Sequence, residues 1–164
     1  MNQEIRSKQI IKFTCEKEDD RTLIVDVIAK NSLLSKSLIK KIMMNGSVFQ
    51  TFKGKRRKVR KAKDTVKMGD IVECFYDPAI DFDIEFEFNL LHETANYGIY
   101  HKPAGAMSEG TNFGDKTSLL RHVEKIKRYV FLVNRLDRET EGLVLIAYNS
   151  KHKTYFKRCG EIRS

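Results

Sequence analysis

The stretch YVFLVNRLDRETEGLVLIA, from Tyr129 to Ala147, says most about the fold, because it places a dense polar loop between two apolar runs. Its first five and its last five residues form two short apolar runs that contain β-branched residues, and each run predicts a strand. Loops at strand ends commonly carry the reactive side chains of a domain. Asp137 lies in the middle of this loop between Arg135 and Arg138, and we expect the two cations to favour its ionised form.

The composition predicts a globular chain, with room for one sizeable core or two small ones in 164 residues. Apolar runs stay well below the roughly 20 residues that cross a bilayer, so we expect no membrane association. The first residues lack the apolar core of a secretory signal. Cys15, Cys74 and Cys159 are odd in number and form no CxxC pair. This spacing argues against a disulfide framework and a zinc site, and it favours a cytoplasmic location.

Charge is unevenly distributed along a chain whose formal net charge is +9. The segment 36–67 holds twelve Lys and Arg residues against one acid, Asp64, whereas the segment 77–93 holds six acids and no Lys or Arg. This asymmetry predicts a basic surface for a polyanion, although an ordinary solvated face has the same composition. Phe49 and Phe52 are the only aromatic residues near the basic stretch, so stacking of single-stranded bases is not the expected mode of binding.

Two helices and a basic β-hairpin are predicted in the first half of the chain. The second helix is bounded by Ser35 as its cap and by Asn45-Gly46 as a C-terminal stop. After it, Val48–Phe52 and Ile71–Tyr76 have the composition of strands. The segment KGKRRKVRKAK, residues 53–63, lies between them.

This order of elements resembles the S4 RNA-binding domain over roughly residues 20–76. The matching residues are Leu34-Ser35-Lys36-Ser37, the stretch from Ile42 to Val48 with its Asn-Gly turn, and the stretch from Val66 to Val72. The resemblance implies that a helix face and an adjoining loop bind structured RNA, mainly through phosphates and shape. The cations expected to make these contacts are Lys36, Lys40, Lys41, Lys53, Lys55, Arg56, Arg57, Lys58 and Arg60.

Beyond Pro78 the pattern predicts a second domain. The segment 81–88 alternates acidic and apolar residues, which predicts a strand with one core-facing side and one acidic side. A further strand, Tyr97–Tyr100, runs into the tight turn His101-Lys102-Pro103-Ala104-Gly105. A helix is expected to start at Thr117 as its cap.

Two segments of this second part together resemble the pseudouridine synthases, most closely the ribosomal large-subunit group related to the A-type enzymes. The first is a strand that ends in Lys-Pro-x-Gly, which Lys102, Pro103 and Gly105 match. The second is His-Arg-Leu-Asp-x-x-Thr-Ser-Gly, and the matching residues are Arg135, Leu136, Asp137, Thr140 and Gly142. The two motifs, in this order behind an S4-like unit, make a specific joint signal.

The resemblance implies that Asp137 is the catalytic aspartate that isomerises uridine to pseudouridine in RNA, as a nucleophile or as a base at the sugar. It further implies that the target base leaves the stack, that Arg135 fills the gap, and that Thr140 and Gly142 shape the loop. No metal or other cofactor is implied. The implied partner is structured RNA, with ribosomal RNA of the 23S type ahead of transfer RNA.

The match has departures that leave several alternatives open. Asn134 stands in place of the signature His and Glu141 in place of the Ser, and Thr140–Leu143 resembles the small-subunit branch of the superfamily instead. The family's Lys-x-Tyr motif, and a later arginine that pairs with the aspartate, are expected beyond Ser164. We therefore expect the chain to be a C-terminally truncated enzyme with weak activity or none. A non-catalytic RNA-binding remnant, and a protein that docks a partner through its acidic strand and sheet edge, are the alternatives.

The expected fold class is α+β. It consists of an N-terminal extension (residues 1–19), a small S4-like domain of two helices plus a basic β-hairpin (20–76), and the N-terminal part of a mixed β-sheet pseudouridine synthase domain (77–164).

Overall fold

The computed structural model describes residues 7–161, with side chains as far as Cys159, and it has two compact units. The first unit extends to Asp83 and includes the short segment Thr111–Gly114, and the second comprises Ile84–Gly110 and the chain from Asp115 onwards. Each unit has a four-stranded sheet and a hydrophobic cluster. The chain therefore has the predicted α+β composition.

In the part of the chain that the structure describes, the first unit combines four strands with two α-helices. Their bounds are β1 Gln9–Thr14, α1 Ile24–Lys30, α2 Lys36–Asn45, β2 Val48–Phe52, β3 Lys55–Lys58 and β4 Ile71–Tyr76. A short 3-10 turn, Lys17–Asp19, precedes α1. The strands lie in the order β1-β4-β2-β3, and each runs antiparallel to its neighbour.

The second helix, α2, has the predicted boundaries. The Ser35 hydroxyl accepts a hydrogen bond from the Leu38 amide at 3.3 Å, which caps the helix start. At the other end Gly46 has φ of 81°, a left-handed conformation that glycine adopts at little cost. The inner face is fully buried and consists of Ile39, Ile42 and Met43.

Residues 9–14 lie within the first sheet and do not form a separate extension. β1 pairs with β4 along its whole length. Its alternate side chains Ile11 and Phe13 pack against the hydrophobic cluster of the first unit, because alternation on a strand supplies one buried face. The compact unit thus starts before residue 20 and continues past residue 76.

The second unit has a similar number of elements, counted over residues 84–161. Their bounds are β5 Asn89–Glu93, β6 Tyr97–Lys102, α3 Leu119–Glu124, β7 Phe131–Leu132, β8 Gly142–Ala147 and α4 Ser150–Glu161. The strand order is β5-β6-β8-β7. The two strands predicted on either side of the polar loop are therefore present as β7 and β8, although β7 is only two residues long. None of the helices found in residues 7–161 has the length and apolar character needed to span a bilayer.

Three predictions for this region are wrong. The segment 81–88 is not a strand. Its aromatic side chains pack into two different hydrophobic clusters, Phe82 in that of the first unit and Phe88 in that of the second. The sheet is not mixed, since all strand pairs among residues 7–161 are antiparallel. Helix α3 is capped by Ser118, whose hydroxyl accepts from the Arg121 amide at 3.2 Å, and not by Thr117.

Candidate active site

The loop that joins β7 to β8 carries Asp137, whose side chain is exposed. The Thr140 amide donates a hydrogen bond to the Asp137 carbonyl at 3.1 Å, which closes a turn directly after the aspartate. Thr140 therefore shapes this loop through its backbone. The predicted site residues Asp137 and Thr140 do lie together, on one short turn.

Asn134 fixes the start of the loop to strand β8. Its side-chain oxygen accepts from the Leu145 amide at 2.8 Å, and its side-chain nitrogen donates to the Leu143 carbonyl at 3.1 Å. The amide group thus bonds to β8 as a strand backbone would, with one donor and one acceptor. Asn134, which departs from the signature, has a structural role that sequence reasoning missed.

Lys102, the last residue of β6, contacts the loop from the interior of the second unit. Its side chain is fully buried, and its ammonium donates to three backbone carbonyls: Ala106 at 2.6 Å, Pro103 at 3.1 Å and Arg138 at 3.2 Å. An ammonium group has three donors, so these acceptors use all of them. Lys102 therefore joins the turn after β6 to the residue that follows Asp137.

Burial lowers the pKa of Lys102, while the negative charges of Glu139 and Asp137 act in the opposite direction. A buried cation is tolerated only when hydrogen bonds and nearby anions compensate for its lost hydration. Here the carbonyls supply the hydrogen bonds, and the two loop carboxylates supply the anions. The lysine and the loop acids are thus electrostatically linked.

Gly105 forms a second connection to the same loop residue. Its amide donates to the Arg138 carbonyl at 2.8 Å, and its carbonyl accepts from Arg138 Nε at 3.1 Å. Gly105 has φ of +85°, a conformation that a residue with a Cβ rarely adopts. The glycine of the Lys-Pro-x-Gly turn therefore gives the backbone the shape in which both bonds can form.

Ser108 anchors the residue on the other side of Asp137. Its buried hydroxyl donates to the Leu136 carbonyl at 2.8 Å and accepts from the Leu136 amide at 3.0 Å. Leu136 and Arg138 are both tied to the segment 102–108, one on each side of the aspartate. The backbone of Asp137 is therefore held at both neighbours while its carboxylate faces solvent.

The two arginines beside Asp137 have other partners. Arg135 Nη1 lies 3.5 Å from Glu109 Oε2, and Arg138 Nε lies 3.8 Å from Glu139 Oε1. Neither forms an ion pair with Asp137 among the residues described. Within residues 7–161 both guanidinium groups therefore point to other acceptors, although the two arginines lie close to Asp137 in the sequence.

The end of the loop is joined to the sheet at Glu141 and Gly142. Glu141 Oε1 lies 3.0 Å from His101 Nε2 on β6. A Cβ at Gly142 would lie 3.3 Å from Leu136 Cδ1, so glycine leaves room for the leucine side chain. The absence of a side chain at Gly142 thus lets Leu136 pack against the end of the loop.

The nine cations predicted to bind RNA divide into three groups by their contacts in the first unit. Four of them face carboxylates: Lys36–Asp26 at 2.8 Å, Arg56–Glu73 at 2.8 Å, Lys41–Asp83 at 3.5 Å and Arg57–Asp64 at 3.5 Å. Arg60 Nη1 donates to the Met44 carbonyl at 3.3 Å. Lys58 lies 5.6 Å from the Phe49 ring centroid.

The remaining three, Lys40, Lys53 and Lys55, are exposed and have no carboxylate within 4 Å among residues 7–161. Lys53 and Lys55 lie on the β2–β3 hairpin, whereas Lys40 lies on α2. The structure thus places the predicted cations on one unit, on a helix and on an adjoining hairpin.

Comparison with known proteins locates the family resemblance in the second unit. Residues 96–159 match the family model described as RNA pseudouridylate synthase. This segment is similar to that family of enzymes. It contains the turn at Lys102, the serine at position 108 and the whole loop around Asp137.

Two curated proteins are also similar to the chain. One is described as an uncharacterized RNA pseudouridine synthase of Mycoplasma genitalium, 33% identical over 129 residues that cover 72% of this chain and 41% of that protein. A homologue from Mycoplasma pneumoniae is 32% identical over 78 residues, which cover 45% of this chain and 25% of that protein. The chain thus spans less than half the length of either relative. The first match is longer than the second unit, so the similarity extends into the first.

Proposed function

We propose that this chain carries part of an enzyme that isomerises uridine to pseudouridine in structured RNA, with Asp137 as its catalytic residue. The observation that carries the proposal is the double anchoring of the Asp137 loop to the Lys102–Ser108 segment, inside the region that matches the family model. Ribosomal RNA is the proposed substrate ahead of transfer RNA.

The reaction exchanges one bond to the ribose for another. The bond from C1′ to the base N1 breaks, a bond from C1′ to C5 forms, C5 loses a proton and N1 gains one. Atoms and charge balance without an external reactant. A carboxylate suits this step either as a nucleophile at C1′ or as a base at the sugar, because both roles need an ionised oxygen in a fixed position. Arg135 is exposed and, within residues 7–161, contacts the Glu109 carboxylate at 3.5 Å on the surface, so it is available to fill the space of an extruded base.

Tritium release from RNA labelled at uridine C5 tests the catalytic proposal directly. We expect release by the chain, even if slow, and loss of at least a hundredfold in the Asp137→Asn variant. Glu87→Gln is the matched control, because Glu87 is an exposed acid of the second unit outside the Asp137 loop, and it should retain the rate of the parent. Equal, measurable rates for Asp137→Asn and the parent would remove Asp137 from the mechanism.

The second candidate function is RNA binding without catalysis, and the basic first unit favours it. We propose that this unit, which resembles the S4 domain, binds structured RNA through its unpaired lysines. A chain that binds RNA but releases no tritium from any labelled RNA would fit this candidate and contradict the first.

The salt dependence of RNA affinity tests this second candidate. Each phosphate neutralised adds about 0.7–0.9 to the slope of log affinity against log salt. Lys55→Gln should reduce the slope by about that amount, whereas Lys36→Gln should reduce it less, because Lys36 is already paired with Asp26. Affinity that does not change with salt would exclude binding through these lysines.

A further inference from the structure

The first unit contains a cleft of about 400 Å³ whose lining is both aromatic and charged. The lining residues are Gln50, Phe52, Arg57, Lys63, Asp64, Thr65, Lys67 and Asp70. They come from β2, β3 and the connection that leads to β4. A volume of this size lies within the range of small-ligand sites.

The floor of the cleft consists of polar side chains that are linked to one another by hydrogen bonds. Gln50 is buried; its side-chain nitrogen donates to Asp70 Oδ2 and to the Thr65 carbonyl, and its oxygen accepts from Arg57 Nη2 at 2.6 Å. Arg57 in turn lies 3.5 Å from Asp64. Because these groups fix each other, the floor keeps its shape without a ligand.

One atom of the floor is unsatisfied. Asp70 Oδ1 is buried and accepts no hydrogen bond from the part of the chain that the structure describes. Its partner oxygen Oδ2 accepts from Gln50 and, at 2.8 Å, from the Lys67 amide. Buried polar atoms without a partner are uncommon in folded proteins.

The wall of the cleft is an exposed phenyl ring between cations. Phe52 is 41% exposed, and the ammonium groups of Lys53 and Lys67 lie 5.3 Å and 5.4 Å from its ring centroid. Lys63 also lines the cleft, and neither Lys63 nor Lys67 has a carboxylate within 4 Å in residues 7–161. An accessible ring surrounded by cations presents a stacking surface beside sites for phosphate.

The other aromatic residue of the hairpin region is not available for such a role. Phe49 is only 5% exposed, and the guanidinium of Arg56 covers its ring at 3.6 Å from the centroid. The contrast separates two residues that the sequence treats alike: Phe49 belongs to the packed interior, and Phe52 faces the cleft.

We infer that this cleft binds one unpaired nucleotide of the RNA, with the base stacked on Phe52 and the adjoining phosphates on Lys63 and Lys67. The inference rests on the proposed RNA binding by the first unit, and it adds a specificity for RNA with an unpaired nucleotide. It also differs from the expectation from composition that stacking of single-stranded bases is not the mode of binding. Fully paired RNA cannot offer a free base face, so it should bind through phosphates alone.

Tryptophan fluorescence tests the stacking, because the chain contains no tryptophan. In the Phe52→Trp variant the new indole is the only one, and a base stacked on it should quench its emission by at least half. The two probes are a two-stranded RNA duplex with one bulged nucleotide and the same duplex without the bulge, so that no hairpin loop supplies a further unpaired base. Leu33→Trp, at a site that is 80% exposed, is the matched control and should show little quenching by either RNA.

Affinity measurements complete the test. Phe52→Ala should weaken binding of the bulged duplex about tenfold and that of the unbulged duplex less than twofold, whereas Phe52→Tyr should retain the affinity of the parent. Equal affinity of the parent for both duplexes, with no quenching at position 52, would overturn the cleft inference and leave RNA binding intact. Absence of binding to either duplex would overturn RNA binding by the first unit and the inference with it.

Discussion

The single side chain of Lys102 holds several backbone segments around Asp137 together through hydrogen bonds. A long, fully buried lysine is unusual in a protein interior, and here its three donors meet three carbonyls that no single neutral side chain would satisfy. Hydrogen bonds from a charged donor each contribute about 1.5–3 kcal/mol, which offsets the lost hydration of the ammonium. The residue therefore stabilises the loop geometry around Asp137.

Replacing Lys102 with Met should destabilise the protein by about 2–4 kcal/mol, because three buried carbonyls lose their partner. Urea unfolding followed by circular dichroism measures the change. Lys125→Met is the control, since Lys125 is exposed, and its midpoint should stay within the error of the parent. Equal midpoints for the two variants would mean that the buried ammonium contributes nothing net to stability.

At the scale of elements, strand β6 packs closely against the residue that follows β8. A Cβ at Gly98 would overlap the Tyr148 hydroxyl and approach Tyr100 Cε2 to 2.8 Å. Tyr148 cannot move aside easily, because its hydroxyl donates to Glu93 Oε1 at 2.6 Å and lies 3.0 Å from the Tyr100 hydroxyl. Burial first, and then the hydrogen bond to Glu93, raises the pKa of Tyr148, so the phenol stays protonated.

The Gly98→Ala variant should lose about 1–3 kcal/mol of unfolding free energy through this overlap. The same substitution in a Tyr148→Phe background should cost less, because the hydroxyl that blocks the methyl group is absent. A double-mutant cycle from thermal or urea unfolding gives the coupling energy. A coupling of zero would show that the methyl group is accommodated elsewhere.

The 3-10 turn before α1 supplies a pH-dependent contribution to the first unit. The Glu16 amide donates to Asp19 at 3.0 Å, and the Lys30 ammonium lies 3.1 Å from the same carboxylate. The backbone hydrogen bond first, and then Lys30, hold the pKa of Asp19 below its ordinary value of 3.8. Stability from a lowered carboxyl pKa is present above the unfolded value and is lost as pH falls through the folded value.

We therefore expect the Asp19→Asn variant to melt at a lower temperature than the parent at pH 7. The difference should shrink as pH falls below about 4, where the parent carboxylate takes up a proton. Thermal melts from pH 7 to pH 2.5 measure it. Asp20→Asn is the control for a general charge effect; a difference that stays constant with pH would contradict the role of Asp19.

At the scale of the whole molecule, the three thiols report on different parts of the structure. Cys159 on α4 is exposed, whereas Cys15 and Cys74 are buried in the first unit. Burial raises the pKa of Cys15 to about 11 and that of Cys74 to about 12, so the reactive thiolate form is scarce at neutral pH.

A colorimetric thiol reagent should label one cysteine rapidly in the native protein and all three in denaturant. The two slow thiols then measure opening of the first unit, because exchange requires unfolding around them. Cys159→Ser should abolish the rapid phase and leave the slow one. Rapid labelling of two or more thiols in native buffer would contradict the burial of Cys15 or Cys74.

Local patterns predicted the regular elements better than the contacts between them. Ser35 and Gly46 bound α2 as expected, because caps act within one turn. The strand predicted for the segment 81–88 is absent, because an alternation of acidic and apolar residues does not show whether a partner strand lies alongside. Ser108 gave no local signal for its role, since its acceptor at Leu136 is 28 residues away, and the bond from Lys102 to the Arg138 carbonyl likewise joins residues 36 positions apart. The motifs located the Asp137 loop, whereas the hydrogen bonds that hold it are visible only in the structure.

The anchors of that loop bind mostly main-chain atoms, and this bears on how the sequence can diverge. Ser108 recognises the amide and carbonyl of position 136, and Lys102 the carbonyl of position 138, so neither bond depends on which side chain stands there. Side chains near the aspartate can drift during evolution while its backbone remains in place. Departures such as Asn134 and Glu141 thus weaken a letter-by-letter comparison without disturbing the scaffold. A lysine and a serine in the positions of Lys102 and Ser108, followed by an aspartate about 30 residues later, would therefore indicate the same loop scaffold more reliably than the loop sequence alone.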